Sequence, residues 1–137
     1  MPISPKFLAA AGLALLLAGC RAEPLQNIEA SAFGPATAER QLTLEETRDA
    51  IIRGGARRGW TFEEEGPGRL TGNIAVRGKH FAVVDVEYDA EQFSIRHQNS
   101  SNLDYDPDGP FIHPNYNSWV RNLAQDIREE VTLEMTK

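Results

Sequence analysis

From His80 to His97, apolar side chains twice fall on every second position with a polar break between, and few folds accommodate that pattern. His80, Ala82, Val84, Val86 and Tyr88 share one phase; Phe93, Ile95 and His97 share the next; Asp89-Ala90-Glu91-Gln92 separates them. A period of two marks half-buried strands. A four-residue loop then pairs Tyr88 with Phe93, Val86 with Ile95 and Val84 with His97, all on one side of the sheet. Upstream, Trp60-Thr61-Phe62 alternates before the turn Gly66-Pro67-Gly68. Leu70, Ile74 and Val76 alternate with Arg69, Thr71, Asn73 and Arg77 before Gly78. The expectation is a four-stranded antiparallel meander with one apolar face, which another layer must cover.

Two helical segments can supply that layer. Tyr116, Trp119, Val120, Leu123, Ile127 and Val131 recur at three- and four-residue steps, which predicts a helix from Pro114 to about Glu134 with Pro114 in its first turn. Before the strands, Thr43-Leu44-Glu45-Glu46 has the form of a capping box. A helix from Leu44 to about Arg58 follows, with Leu44, Thr47, Ile51 and Gly55 along one stripe and Gly59 available to end it. Arg57 and Arg58 complement the dipole at its C-terminal end. The resulting order, α-β-β-β-β-α, predicts a single α+β domain over residues 41–137: an N-terminal helix, a four-stranded antiparallel meander and a long C-terminal helix packed on one face, as a two-layer sandwich.

Ahead of the domain, Lys6 precedes an apolar run that closes on Leu17-Ala18-Gly19-Cys20. The run is too short to span about 30 Å of hydrocarbon as a stable helix. It resembles a bacterial lipoprotein signal with its lipobox. That resemblance implies a signal peptide over residues 1–19, cleavage before Cys20, and a covalent lipid on the Cys20 thiol and the new amine. Each buried methylene contributes about 0.8 kcal/mol, so two or three acyl chains hold far more firmly than one. Residues 20–40, rich in Ala, Pro, Ser and Glu and without apolar period, read as a lipidated flexible tether of roughly 25 Å reach. Arg21 stands where lipoproteins kept in the inner membrane commonly carry Asp, which favours the outer membrane, with the domain in the periplasm.

Charge and cysteine usage exclude several functions. The chain carries 14 Lys and Arg against 20 Asp and Glu, for a formal charge of −6. Loss of Lys6 with the signal makes the remainder more acidic still, so a nucleic-acid surface is not expected. Cys20 is the one cysteine. Lipidation consumes it, leaving no disulfide, no thiol catalysis and no cysteine-ligated zinc.

The Ser101–His113 loop holds the nearest approach to a chemical motif. Asp104, Asp106 and Asp108 occupy the first, third and fifth positions of an EF-hand-like run with Gly109 at the sixth, which makes weak Ca2+ binding an alternative. Asn115 replaces the bidentate Glu at the twelfth position, and Pro107 and Pro110 restrict the wrap. A Ser101/His113/Asp108 triad gives a third alternative, a hydrolase, although no G-x-S-x-G elbow or Ser-x-x-Lys arrangement supports it. Glu63-Glu64-Glu65 reads as a solvated strand end, His80 and His97 as partly buried structural side chains, and His113 as a helix cap or loop anchor. Asn102, Tyr105, His113, Tyr116 and Asn117 gather polar and aromatic groups at one end of the predicted sandwich. They form either a binding surface or a hydrogen-bonded plug.

Ser101-Asn102-Leu103-Asp104-Tyr105 and the run from Ile112 to Leu123, with its Ile-His-x-x-Tyr-Asn-x-Trp pattern, resemble a family of small uncharacterised proteobacterial lipoproteins. The resemblance extends to the lipobox, to Arg58-Gly59-Trp60 after the first helix and to Tyr88-Asp89 ending a strand. His97 departs from it, where an aromatic residue is expected. No activity comes with the resemblance. It implies location and architecture only, an envelope lipoprotein anchored to the membrane by lipid. Apart from the resemblance, the expectation for function is a non-catalytic binding or interaction module for another envelope protein. Small-molecule or weak calcium binding through the Ser101–His113 loop is the alternative.

Overall fold

The structure, a computed structural model, describes residues 22–34 and 40–137. Its elements in chain order are β1 (Glu23–Pro24), β2 (Ile28–Ala32), α1 (Leu44–Ala56), β3 (Thr61–Gly66), β4 (Arg69–Val76), β5 (His80–Tyr88), β6 (Gln92–Ser101), β7 (Phe111–Ile112) and α2 (Pro114–Met135). Strands β3 to β6 form the expected meander, and the β5–β6 register pairs Val84 with His97, Val86 with Ile95 and Tyr88 with Phe93. Between Val83 and Val84 that register slips by one residue. At the β4–β5 turn, Arg77 and Gly78 both have positive φ, the requirement of a tight hairpin turn that matches the strand twist.

The sheet is larger than the periodicity predicts. It has five strands in the order β2-β6-β5-β4-β3, and a separate two-stranded sheet joins β1 to β7. The flexible tether over 20–40 therefore needs correction for residues 22–34, which form a strap laid along β6 and β7. Alternation cannot reveal these strands. β1 has two residues, and β2 carries an irregularity between Ile28 and Ser31, with Ala30 at φ 44°, that breaks its phase. Pairing with β2 satisfies backbone groups that β6 would otherwise expose as a sheet edge. Residues 1–21, with the signal peptide and Cys20, and residues 35–39 lie outside the described residues.

Both helices contribute to the core on the inner face of the sheet. Val120, Leu123, Ile127 and Val131 of α2 are buried together with Val84, Val86, Phe93 and Ile95. On α1 the buried stripe is Thr47, Ala50, Ile51, Gly54 and Gly55; Leu44, expected within it, is 42 % exposed, and Leu42 just before the cap is buried instead. The capping box forms in full: Glu46 N donates to Thr43 Oγ1 at 3.1 Å, and Thr43 N donates to Glu46 Oε1 at 3.2 Å. α1 ends at Ala56, two residues short of Arg58. Gly59, at φ 92°, then turns the chain so that Trp60 N donates to Gly55 O at 3.0 Å.

Arg57 and Arg58 turn toward α2. Arg58 Nε lies 2.6 Å from Asp126 Oδ2, and Arg57 Nη1 lies 3.0 Å from Glu129 Oε2. Two glycines let α1 approach its neighbours. A Cβ on Gly54 would meet the Asp126 carbonyl oxygen at 3.0 Å, and one on Gly55 would overlap the Phe62 ring. Ala in place of a mid-helix Gly gains about 1 kcal/mol of propensity, whereas overpacking costs about 1–3 kcal/mol. The Gly55→Ala protein is expected to be less stable in urea melts, and the Gly55→Ala/Phe62→Leu double variant to recover most of the loss. A Gly55→Ala protein more stable than the wild type would refute the contact.

Candidate functional site

The polar and aromatic residues expected to cluster at one end of the sandwich divide into an inner set and an outer set. At the centre of the inner set stands His97 of β6. Its ring centroid is 4.2 Å from that of Tyr105, tilted by 36°, and 5.3 Å from that of Tyr116 in an edge-to-face arrangement. The imidazole thus fills an aromatic position. Its Nε2 lies 2.9 Å from Ser100 Oγ, and the His97 backbone N–H donates to Asn27 Oδ1 at 3.1 Å. Burial pushes the imidazole below its ordinary value. Tyr116 is fully buried and its hydroxyl has no hydrogen-bond partner among the described residues. Burial, reinforced by Tyr105, raises that phenol well above the usual range.

Asn117, one residue further along α2, is also fully buried, and the strap uses its whole amide group. Oδ1 accepts from Gln26 N at 2.9 Å, while Nδ2 donates to Pro24 O at 3.0 Å and to Glu23 Oε1 at 3.2 Å. Tyr116 and Asn117 are therefore closed to a ligand in this conformation. Asn117 pins residues 23–26 across the start of α2, because an amide has both the donor and the acceptor that a passing backbone requires.

The outer set holds the loop. Asn102, at φ 60°, donates from Nδ2 to Lys79 O at 2.6 Å and accepts at its carbonyl from His80 Nδ1 at 2.9 Å. His113 caps α2 by accepting from Asn115 N at Nδ1, 3.1 Å away, and its own N–H donates to Leu103 O at 2.8 Å. Asp106 and Phe111 exchange two backbone hydrogen bonds of 2.8 and 2.9 Å, and Asp108 N donates to Asp106 Oδ1 at 3.0 Å. Asp104, Asp106 and Asp108 are exposed, and among the described residues no three His, Cys, Asp or Glu side chains gather as a metal-ligand set. Ser101 is exposed on β6 opposite Phe81, and Ser101, His113 and Asp108 share no hydrogen bond.

The sheet face turned away from the helices is uncovered and mostly polar. Register places Thr71, Asp85 and Arg96 in one row across it, and Ala75, Phe81 and Ser101 in another. Arg96 bridges Glu29 at 2.7 Å and Glu87 at 3.2 Å, and this pairing holds the Glu29 carboxyl below its ordinary range. A groove of 470 Å³ runs along Glu29, Arg69, Glu87, Asp89 and Arg96 at the end of the sheet opposite the Ser101–His113 loop.

Sequence periodicity missed the strap and the central place of His97. The available signal was weak: Leu25, Ile28 and Phe33 stand as apolar residues in a polar stretch, and all three pack against or within the core. The chain matches no protein-family model, no curated protein and no solved structure.

Asn117→Ala leaves Gln26 N and Pro24 O without partners, which is expected to cost about 1–3 kcal/mol. Hydrogen exchange at Gln26 should accelerate more than exchange along β5; unchanged protection at Gln26 would contradict the clamp. The depressed His97 value has a definite sign. The folded state prefers the neutral imidazole, so the stability it contributes is complete above the unfolded value of 6.5 and is lost as pH falls below it toward the folded value. Between pH 7 and 5 the wild type should therefore lose more melting temperature than a His97→Phe variant. Parallel pH profiles for the two proteins would show that His97 is not the group responsible.

Proposed function

We propose that the chain is a cell-envelope lipoprotein, anchored through acyl chains on Cys20, whose domain acts as a non-catalytic interaction module for another envelope protein. The observation that carries this reading is the apolar run closing on Leu17-Ala18-Gly19-Cys20. The address it encodes is bacterial, with the outer membrane favoured by Arg21 and the domain in the periplasm. No helix among the described residues is long and apolar enough to cross a membrane.

The surface supports binding better than chemistry. The buried Asn117 amide is engaged by the strap. The uncovered sheet face offers fixed charges and, at the end away from the Ser101–His113 loop, the groove along Arg69 and Arg96. A polar surface of this kind suits a non-obligate protein interface. Weak calcium or small-molecule binding on the Ser101–His113 loop has less behind it, because Asp104, Asp106 and Asp108 do not gather around one point.

Mass spectrometry of protein from the bacterial envelope should find residues 1–19 absent and a lipid mass on Cys20, and Cys20→Ser should release the protein into the soluble fraction. Crosslinking in intact envelopes, followed by capture of this chain, should recover one partner reproducibly. That recovery should fall several-fold for a charge reversal of Arg69 and Arg96 to Glu. Repeated capture without any partner would count against the interaction role, and a titration with Ca2+ that raised the melting temperature would favour the loop instead.

A further inference from the structure

We propose that the domain stands end-on to the bilayer, with the Arg77–Lys79 turn and the Ser101–His113 loop against zwitterionic headgroups and the sheet pointing away. The inference rests on the anchored reading above and adds to it an orientation. Its first support is covalent. Glu23 is fixed by pairing with Ile112 and by Asn117, and Leu25 N donates to Pro110 O at 3.0 Å. Cys20 is three residues before Glu23, so its lipid leaves the chain within about 10–11 Å of β1, whatever path the intervening residues take. A tether of roughly twenty residues would let the domain tumble freely. Three residues before a clamped strand do not.

The second support is the surface at that end. Phe81, Tyr105 and Phe111 are 42 %, 40 % and 42 % exposed, and all three aromatic residues lie at the end of the sheet where β1 and β7 sit. The other large exposed apolar residues, Leu44, Ile52 and Leu133, are aliphatic and belong to the two helices. Aromatic side chains at a membrane boundary place their rings at headgroup level. Arg77 and Lys79 flank the patch and form no ion pair among the described residues, while Asp104, Asp106 and Asp108 are exposed on the neighbouring loop. Both signs of charge at one end suit a headgroup that joins a phosphate to an amine, whereas a strongly anionic surface would repel the three carboxylates. The acyl chains supply the attachment; the patch decides which end faces down. Because β5 has nine residues, the Asp89–Gln92 loop and the groove beside Arg69 then stand about 30 Å further out, open to a partner.

The test uses the full lipidated chain in vesicles of phosphatidylethanolamine and phosphatidylcholine. Cys20 is occupied by lipid, so a nitroxide can be placed on a single introduced thiol, Asp108→Cys at the proposed lower end or Glu91→Cys at the upper. Power saturation should give an oxygen-to-nickel accessibility ratio several-fold higher at position 108 than at 91, with wild-type melting curves for both proteins. Equal ratios, or the reverse order, on protein whose Cys20 carries lipid by mass spectrometry would overturn the orientation and leave the anchor intact. An unmodified Cys20 would remove both.

Discussion

The apolar stripe of α2 across the inner face of the β5–β6 hairpin is the contact on which the other parts depend. Val84, Val86 and Ile95 on the sheet and Leu123, Ile127 and Val131 on the helix have no exposed surface. Complete burial of a side chain of this kind contributes about 1.5–3 kcal/mol, so these six outweigh any single polar contact in the molecule. Once α2 lies there, its other faces acquire their partners. Its first turn presents Asn117 to the strap, and its later turns present Asp126, Glu129, Glu130 and Glu134 to α1.

The α1–α2 seam combines close packing with charge. Gly54 brings the two backbones together, and Arg53, Arg57 and Arg58 face the acidic row. Most of these pairs are half-exposed and contribute little each. Arg58 with Asp126 differs, because the Asp126 side chain is 3 % exposed and its charge needs a partner. Removing Arg58 would leave the buried carboxylate only the longer contact to Arg57 Nη1 at 3.9 Å, so this pair selects one crossing of the helices more than it adds stability.

The strap changes what the polar and aromatic end of the domain can do. Without residues 22–27, Asn117 would offer an amide to a ligand and His97 would lack its Asn27 contact. With them in place, the same groups form a sealed joint between the N-terminal segment and the fold. The joint shortens the link between Cys20 and the domain from a loose tether to three residues. Under the proposed anchoring at Cys20, a domain held so closely would have restricted orientations, and the uncovered sheet face would take a defined direction.

Period and spacing determined the meander, the hairpin register from Val84–His97 to Tyr88–Phe93, the capping box at Thr43, and the length of α2 to within a residue at its end. These features rest on local chemistry: a side chain's phase within its own element, or a cap within one turn, is written in neighbouring residues. The fifth strand, the strap, the exposure of Leu44 and the meeting of His97 with Tyr105 and Tyr116 were decided by the tertiary structure. Each joins positions far apart in the chain. Gln26 and Asn117 are 91 residues apart, and Asn27 and His97 are 70 apart. An Asn on a helix and a short polar segment near the N-terminus carry no mark of one another. A buried amide takes whichever backbone passes within hydrogen-bonding distance, and only the packed fold decides which segment that is.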